Sequence, residues 1–126
     1  MTPNATPIQW LEHPEKHDYG AAEEYLSLVM SPKHAKRLAK KLRKGELHHW
    51  KAKDILRASE QQPLPADNPG VAAKFAKIAA GEPLSPVLLV RREDDPLIIA
   101  DGYHRISTAY LSDENSEVPA VEVDAD

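Results

Sequence analysis

The sequence predicts an α+β fold in which helices come first and a small mixed sheet with flanking helices closes the chain. Three observations carry this. Apolar residues recur at spacings of three and four through much of residues 18–60, whereas short continuous apolar runs, Val87-Leu88-Leu89-Val90 and Leu97-Ile98-Ile99-Ala100, appear only later. Those runs are bounded by Pro86, by the charged stretch Arg91 to Asp95, and by Asp101-Gly102, the punctuation expected of buried strands. At 126 residues with 41% hydrophobic content, the chain is sized for one core, so residues 1–126 are read as a single compact domain.

Residues 1–17 hold Pro3, Pro7 and Pro14 and show no helical period; they are read as an irregular arm in which Ile8, Trp10 and Leu11 pack. Asp18 is the expected N-cap of a first helix, whose apolar stripe is Ala22, Tyr25, Leu26 and Val29 and which ends near Met30. Ser31-Pro32 opens a second helix with a hydroxyl cap and a proline whose missing N–H costs nothing there. Its buried stripe is Ala35, Leu38, Ala39 and Leu42, and Gly45 stops it. These two elements make a helical hairpin. Leu47, Trp50, Ile55 and Leu56 are read as a third, less regular helical segment with Trp50 in the core, so that residues 18–60 form a helical extension with a basic face.

Residues 61–126 are expected to form the α/β core. Gln61-Gln62-Pro63-Leu64-Pro65 is a connector, because prolines and the residues before them resist helix. Val71, Phe75, Ile78 and Ala79 keep helical spacing up to Gly81. After the two apolar strands, Val118 to Val123 is a third, with Pro119 marking a strand start or an edge.

Charge is segregated. Residues 33–57 hold ten Lys/Arg against Glu46 and Asp54, in a chain of net charge -4, and Ser112 to Asp126 is acidic without a Lys or Arg. Lys36, Arg37, Lys40, Lys41, Arg43 and Lys44 form a basic patch that suits nucleic acid or an acidic protein partner; the plainer reading is a solvated helix face answered by the acidic tail. With no cysteine, disulfides, thiolate metal sites and sulfur nucleophiles are excluded. His13 and His17 are separated by Pro14, and the adjacent His48 and His49 point apart on a helix, so neither pair supplies the three or four converging ligands zinc needs. No apolar run is long enough to span a membrane and Met1-Thr2-Pro3-Asn4 does not start a signal peptide, so a soluble, cytoplasmic protein is expected.

The segment that points to chemistry is Asp101-Gly102-Tyr103-His104-Arg105-Ile106-Ser107-Thr108-Ala109-Tyr110. Ile106, Ala109 and Tyr110 have helical spacing, so the chain is expected to pass from strand through a glycine turn into a helix N-terminus. Asp-Gly after an apolar strand is also a hairpin signal, which is the alternative. The unpaired N–H groups and the dipole of a helix N-terminus attract anions. Gly102, His104, Arg105, Ser107 and Thr108 are therefore candidate phosphate contacts, and Tyr103 and Tyr110 are core-edge aromatics or ring partners for a base. Asp101 is a candidate general base and magnesium ligand, or simply the cap of the helix; Glu60, Asp67 and Glu93-Asp94-Asp95 are undifferentiated further carboxylates. Arg105 has its own alternative, an internal ion pair.

The order helix, Gly81, proline-initiated strand, second strand, glycine turn with basic residues, helix and Val118-Pro119-Ala120-Val121 resembles the ParB/sulfiredoxin superfamily over about residues 54–126. Gly102, His104 and Arg105 match its shared phosphate-contacting positions, and Asp101 matches the turn of the free serine kinases. The resemblance implies a ParB/sulfiredoxin-like fold that binds ATP or another nucleotide with magnesium, or a phosphorylated small molecule, and points to phosphoryl transfer or nucleotide hydrolysis. Tyr103 replaces the reactive cysteine of sulfiredoxin, which excludes sulfinic acid reduction, and the glutamate of ParB. The chain stops where the ParB helix-turn-helix would follow, so centromere-type recognition is not expected. The nuclease chemistry of some ParB-like domains would need a two-metal carboxylate set that is not visible.

Overall fold

The computed structural model describes residues 6–126. Its elements are α1 (Lys16–Val29), α2 (Pro32–Arg43), β1 (Leu47–Lys51), α3 (Ala52–Ser59), α4 (Pro69–Ala79), β2 (Val87–Arg91), β3 (Ile98–Asp101), α5 (Tyr103–Ser112) and β4 (Glu117–Asp124). The strands form one mixed sheet in the order β1-β4-β2-β3, and the fold is α+β.

β2 explains the layering. Val87, Leu88, Leu89 and Val90 are all buried, which a strand achieves only when both faces of its sheet are covered. Leu88 and Val90 face a core completed by Leu26 of α1, Leu38 and Leu42 of α2, and Val121 of β4. Val87 and Leu89 face the opposite core with Ile55 and Leu56 of α3, Ile106 and Ala109 of α5, and Val118 and Ala120. The helical hairpin therefore covers one side of the sheet, while α3 and α5 cover the other. β3 runs antiparallel to β2, and β4 runs parallel to β2 and antiparallel to β1. The expected neighbouring strands are thus present, the second at Ile98–Asp101 rather than 97–100 and, as an edge strand with Ile99 and Asp101 half-buried, fully covered on one face alone.

The helix signal at Ser31-Pro32 holds, and the structure adds a like start at Asn68-Pro69. Ser31 Oγ accepts from His34 N at 3.2 Å, and Asn68 Oδ1 accepts from Gly70 N at 2.9 Å, each ahead of a proline at the helix start. The expected arm of residues 1–17 is shorter, because Lys16 and His17 belong to α1, and its residues 1–5 lie outside the described residues; the rest docks as expected, with Trp10 bridged to Leu84 and Leu11 N donating to the Leu84 carbonyl at 2.8 Å.

Several local expectations are corrected. Glu15, not Asp18, caps α1; Asp18 lies in the first turn, where its carboxylate accepts from Glu15 N at 2.8 Å and is then buried. Tyr25 and Val29 are exposed, because the buried stripe is Asp18, Ala22 and Leu26. Leu47 to Lys51 is a strand rather than helix: it pairs with β4 from Leu47↔Val121 to Lys51↔Glu117. As an edge strand it leaves all five side chains exposed, and Trp50 sits at the rim with its indole N–H donating to Glu122 Oε1 at 2.6 Å. Pro119 lies inside a central strand. It is opposite His49 and one residue ahead of the β2 ladder, which begins at Val87↔Ala120, so no β2 partner has yet to be met there. No helix among the described residues is long and apolar enough to cross a membrane.

Leu42→Ala removes a fully buried side chain between α2 and the sheet and is expected to cost about 2–5 kcal/mol in urea unfolding. Lys40→Ala, two residues away on the exposed face, is expected to stay within about 0.5 kcal/mol of wild type. Equal losses from the two would contradict this layering.

Candidate functional site

β3 ends at Asp101, Gly102 turns the chain and α5 begins at Tyr103, so the hairpin alternative is overturned. Gly102 is required twice over. Its φ of 109° is left-handed, and a Cβ there would fall inside the van der Waals envelope of Val87. Gly102 itself is the N-cap of α5, no side chain caps this helix, and Asp101 is not its cap.

Asp101 is instead committed to Arg105. The guanidinium is buried, with Nη2 donating to Asp101 Oδ2 at 2.6 Å and standing 3.7 Å from Asp18 Oδ1. Nη1 donates to the Ser85 carbonyl at 2.7 Å, the Pro86 carbonyl at 3.0 Å and Ser85 Oγ. One side chain thereby joins α5, the end of β3, the lead-in to β2 and the first turn of α1. This is the internal ion pair left open in the sequence, and it corrects the assignment of Arg105 as a phosphate contact, because its donors are already directed at protein acceptors.

Ser107 and Thr108 are corrected in the same way. Both are fully buried; Ser107 Oγ accepts from Leu64 N at 3.0 Å and Thr108 Oγ1 donates to the His104 carbonyl at 2.8 Å, back along the helix. Tyr103 is half-buried with its hydroxyl donating to the Gln62 carbonyl, which holds the connector against α5. His104 is exposed, and its ring lies over Gly70 in the first turn of α4, where any Cβ would collide with the imidazole.

Two clefts meet at this turn. One, of about 340 Å³, lies between the starts of α1 and α5 and the middle of α4, and is lined by Asp18, Lys74, Lys77, Asp101, His104 and Arg105. The other, of about 670 Å³, runs along β3 and is bordered by Tyr25, Val29, Arg92, Leu97, Ile99 and Tyr103. Asp101 and His104 border both. Glu60 reaches the larger cleft, whereas Asp67 and Glu93-Asp94-Asp95 line neither.

The electrostatics of the smaller cleft are unequal. Burial pushes the Asp101 carboxyl up to about 6; the Arg105 cation opposes the shift and the nearby Asp18 carboxylate adds to it. Lys74 is held below its usual value, first by burial and then by the neighbouring Arg105 and Lys77 cations. None of the ion pairs among the described residues involves Lys74 or Lys77. Lys74 and Lys77 went unread in the sequence, and Asp18 was read there only as a helix cap; the three-residue spacing of the two lysines was visible, but nothing local tied that helix to Gly102.

A protein-held magnesium ion does not fit this donor set. The carboxylates Asp18 and Asp101 converge on Arg105, which already supplies their positive charge, and among the described residues no group of three or more His, Asp or Glu could hold a metal. No family model, curated protein or solved structure matches the chain.

Two outcomes follow from the Arg105 pairing. Arg105→Ala leaves two carboxylates facing each other without a cation and is expected to cost about 3–5 kcal/mol of stability, measured by denaturant unfolding; a loss below 1 kcal/mol would contradict the buried pairing. The folded-state value of Asp101 lies above its ordinary 3.8, so the native protein keeps a proton there that the unfolded chain releases. This group therefore adds stability at about pH 4 and withdraws it as the pH rises through about 6. Asp101→Asn is expected to flatten stability over that interval, and an unchanged profile would refute the raised value.

Proposed function

We propose that the chain binds a phosphorylated small molecule, in the first instance a nucleotide, with its phosphates on the first turn of α5. The observation that carries this reading is the uncapped N-terminus of α5, which opens beside Lys74, Lys77 and His104 while, among the described residues, no carboxylate pairs with either lysine. By contrast, α2 and α4 have their first N–H groups answered by Ser31 and Asn68. Free N–H groups, a helix dipole and two unpaired ammonium groups around one cleft form a binding environment for an anion. The likeness of Asp101-Gly102-Tyr103-His104-Arg105 to the ParB/sulfiredoxin turn supports the same ligand class.

In this reading Gly102 allows the phosphates to approach the backbone, His104 and Lys74 contact phosphate oxygens, and Arg105 fixes the turn without touching the ligand. The apolar border of the larger cleft, with Tyr25, Val29 and Leu97, gives a face for a nucleobase on the other side of the same turn. Magnesium arrives with the nucleotide rather than on a protein carboxylate. For phosphoryl transfer or hydrolysis, which rests mainly on positioning and charge, Asp101 is the group we assign to accept a proton, its raised proton affinity bringing it nearer neutral pH.

Calorimetric titration with pyrophosphate, ATP and CTP, each with and without magnesium, tests the reading. Saturable binding is expected, weakened by about 1.5–3 kcal/mol in Lys74→Ala and in His104→Ala. The melting curve of Lys74→Ala is expected to match wild type, because its ammonium makes no internal bond. Absence of binding for every ligand, or affinities indifferent to both substitutions, would remove the proposal.

A further inference from the structure

The exposed face of α2 carries a second, separate anion-directed feature. Lys33, Arg37, Lys40 and Lys44 stand at i, i+4, i+7 and i+11, so they form one row along the helix, flanked by Lys36 and Arg43. All six are exposed. None takes part in an ion pair among the described residues, although the chain has 20 Asp and Glu. The acidic tail does not answer them. It reaches α2 on another side and through its backbone: the Asp124 and Asp126 carbonyls accept from Lys41 Nζ at 3.0 and 2.7 Å, and the Ala125 carbonyl lies 2.6 Å from His34 Nε2. Arg43 alone has a partner, with its guanidinium 5.5 Å above the Tyr19 ring.

We infer that this row is a docking surface for the phosphate backbone of a duplex nucleic acid, independent of base sequence. The chemistry of the face selects among anionic partners. An acidic protein would be held by an interface with an aromatic or apolar centre, in which lysine is depleted; the row is mostly lysine and every apolar residue of α2 beyond Pro32 is buried beneath it. A single strand would be held by stacking on aromatic rings, and α2 has no Phe, Tyr or Trp, while its His34 ring is half-buried against the Ala125 carbonyl. Adenine reading needs Asn or Gln, and between Pro32 and Lys44 there is no Asn, Gln, Ser or Thr; guanine reading needs a guanidinium fixed in a groove, whereas the row is mostly exposed lysine. Flexible ammonium groups need only phosphates. The rise from Lys33 to Lys44 is roughly 16 Å, which spans about five phosphates of one strand at 3.4 Å each.

The test is fluorescence anisotropy of the full chain with labelled 20-base-pair DNA and RNA duplexes, a single strand of the same length, and polyglutamate as competitor. Four neutralised phosphates predict a roughly 150-fold fall in duplex affinity between 50 and 200 mM salt. Lys36→Glu with Lys40→Glu is expected to lower affinity at 50 mM salt at least tenfold and to flatten that dependence, with an unchanged melting curve. Lys16→Glu with Lys53→Glu changes net charge equally and is expected to lower affinity by less than threefold. Tighter binding of DNA than of RNA duplex, or the reverse, assigns the natural source. The inference is overturned by no duplex binding at 50 mM salt, by equal effects of the two double variants, or by a preference for the single strand or polyglutamate.

Discussion

The structure depends on one buried cation. Arg105 is the point at which α1, the lead-in to β2, the end of β3 and α5 are tied together, through Asp18, Ser85, Pro86 and Asp101. A guanidinium out of water is tolerated only when its donors are answered, and here carbonyl, hydroxyl and carboxylate oxygens do so. Among the described residues no buried side-chain nitrogen or oxygen is left without a partner. The pairing has a geometric result: with Asp101 drawn to Arg105 rather than to the helix start, the first turn of α5 keeps its N–H groups uncapped beside the cleft.

Gly102 and Gly70 serve that arrangement from two sides. The left-handed turn at Gly102 lets β3 pass into α5 against Val87, and the bare backbone at Gly70 lets the His104 ring rest on α4. The two helix starts are thus brought together, one capped by Asn68 and the other uncapped. Lys74 and Lys77 follow in α4 and add positive charge to the cleft at the uncapped end. The site is consequently a product of packing between α4 and α5 rather than of the turn alone.

What was legible in the sequence was local. β2 stood out because a strand covered on both faces needs no polar alternation, β3 because its apolar run is bounded by charge and by Asp101-Gly102, and the glycine turn and the Ser31-Pro32 helix start are read from adjacent residues. β1 was hidden, since Leu47 to Lys51 becomes a strand only by pairing with β4, some 70 residues later. The inner and outer faces of α5 were hidden for the same reason. Arg105, Ser107 and Thr108 have the composition of a phosphate site, but their acceptors and donors, at Ser85, Leu64 and the preceding turn, come from the tertiary fold. Pro119 misled because a proline inside a central strand is harmless only at the end of a ladder, and ladder ends are not written in the sequence.

Lysines without an ion-pair partner among the described residues stand at two separate places, the α4–α5 cleft, which Glu15, Asp18 and Asp101 also line, and the exposed row on α2, and an anion added in solution has to choose between them. Backbone amide resonances followed by NMR during titration with pyrophosphate resolve that choice. The account predicts saturable shifts of the Tyr103, His104 and Arg105 amides, whose N–H groups start α5, together with residues around Lys74. Shifts confined to residues 33–44, or none at the start of α5, would contradict it.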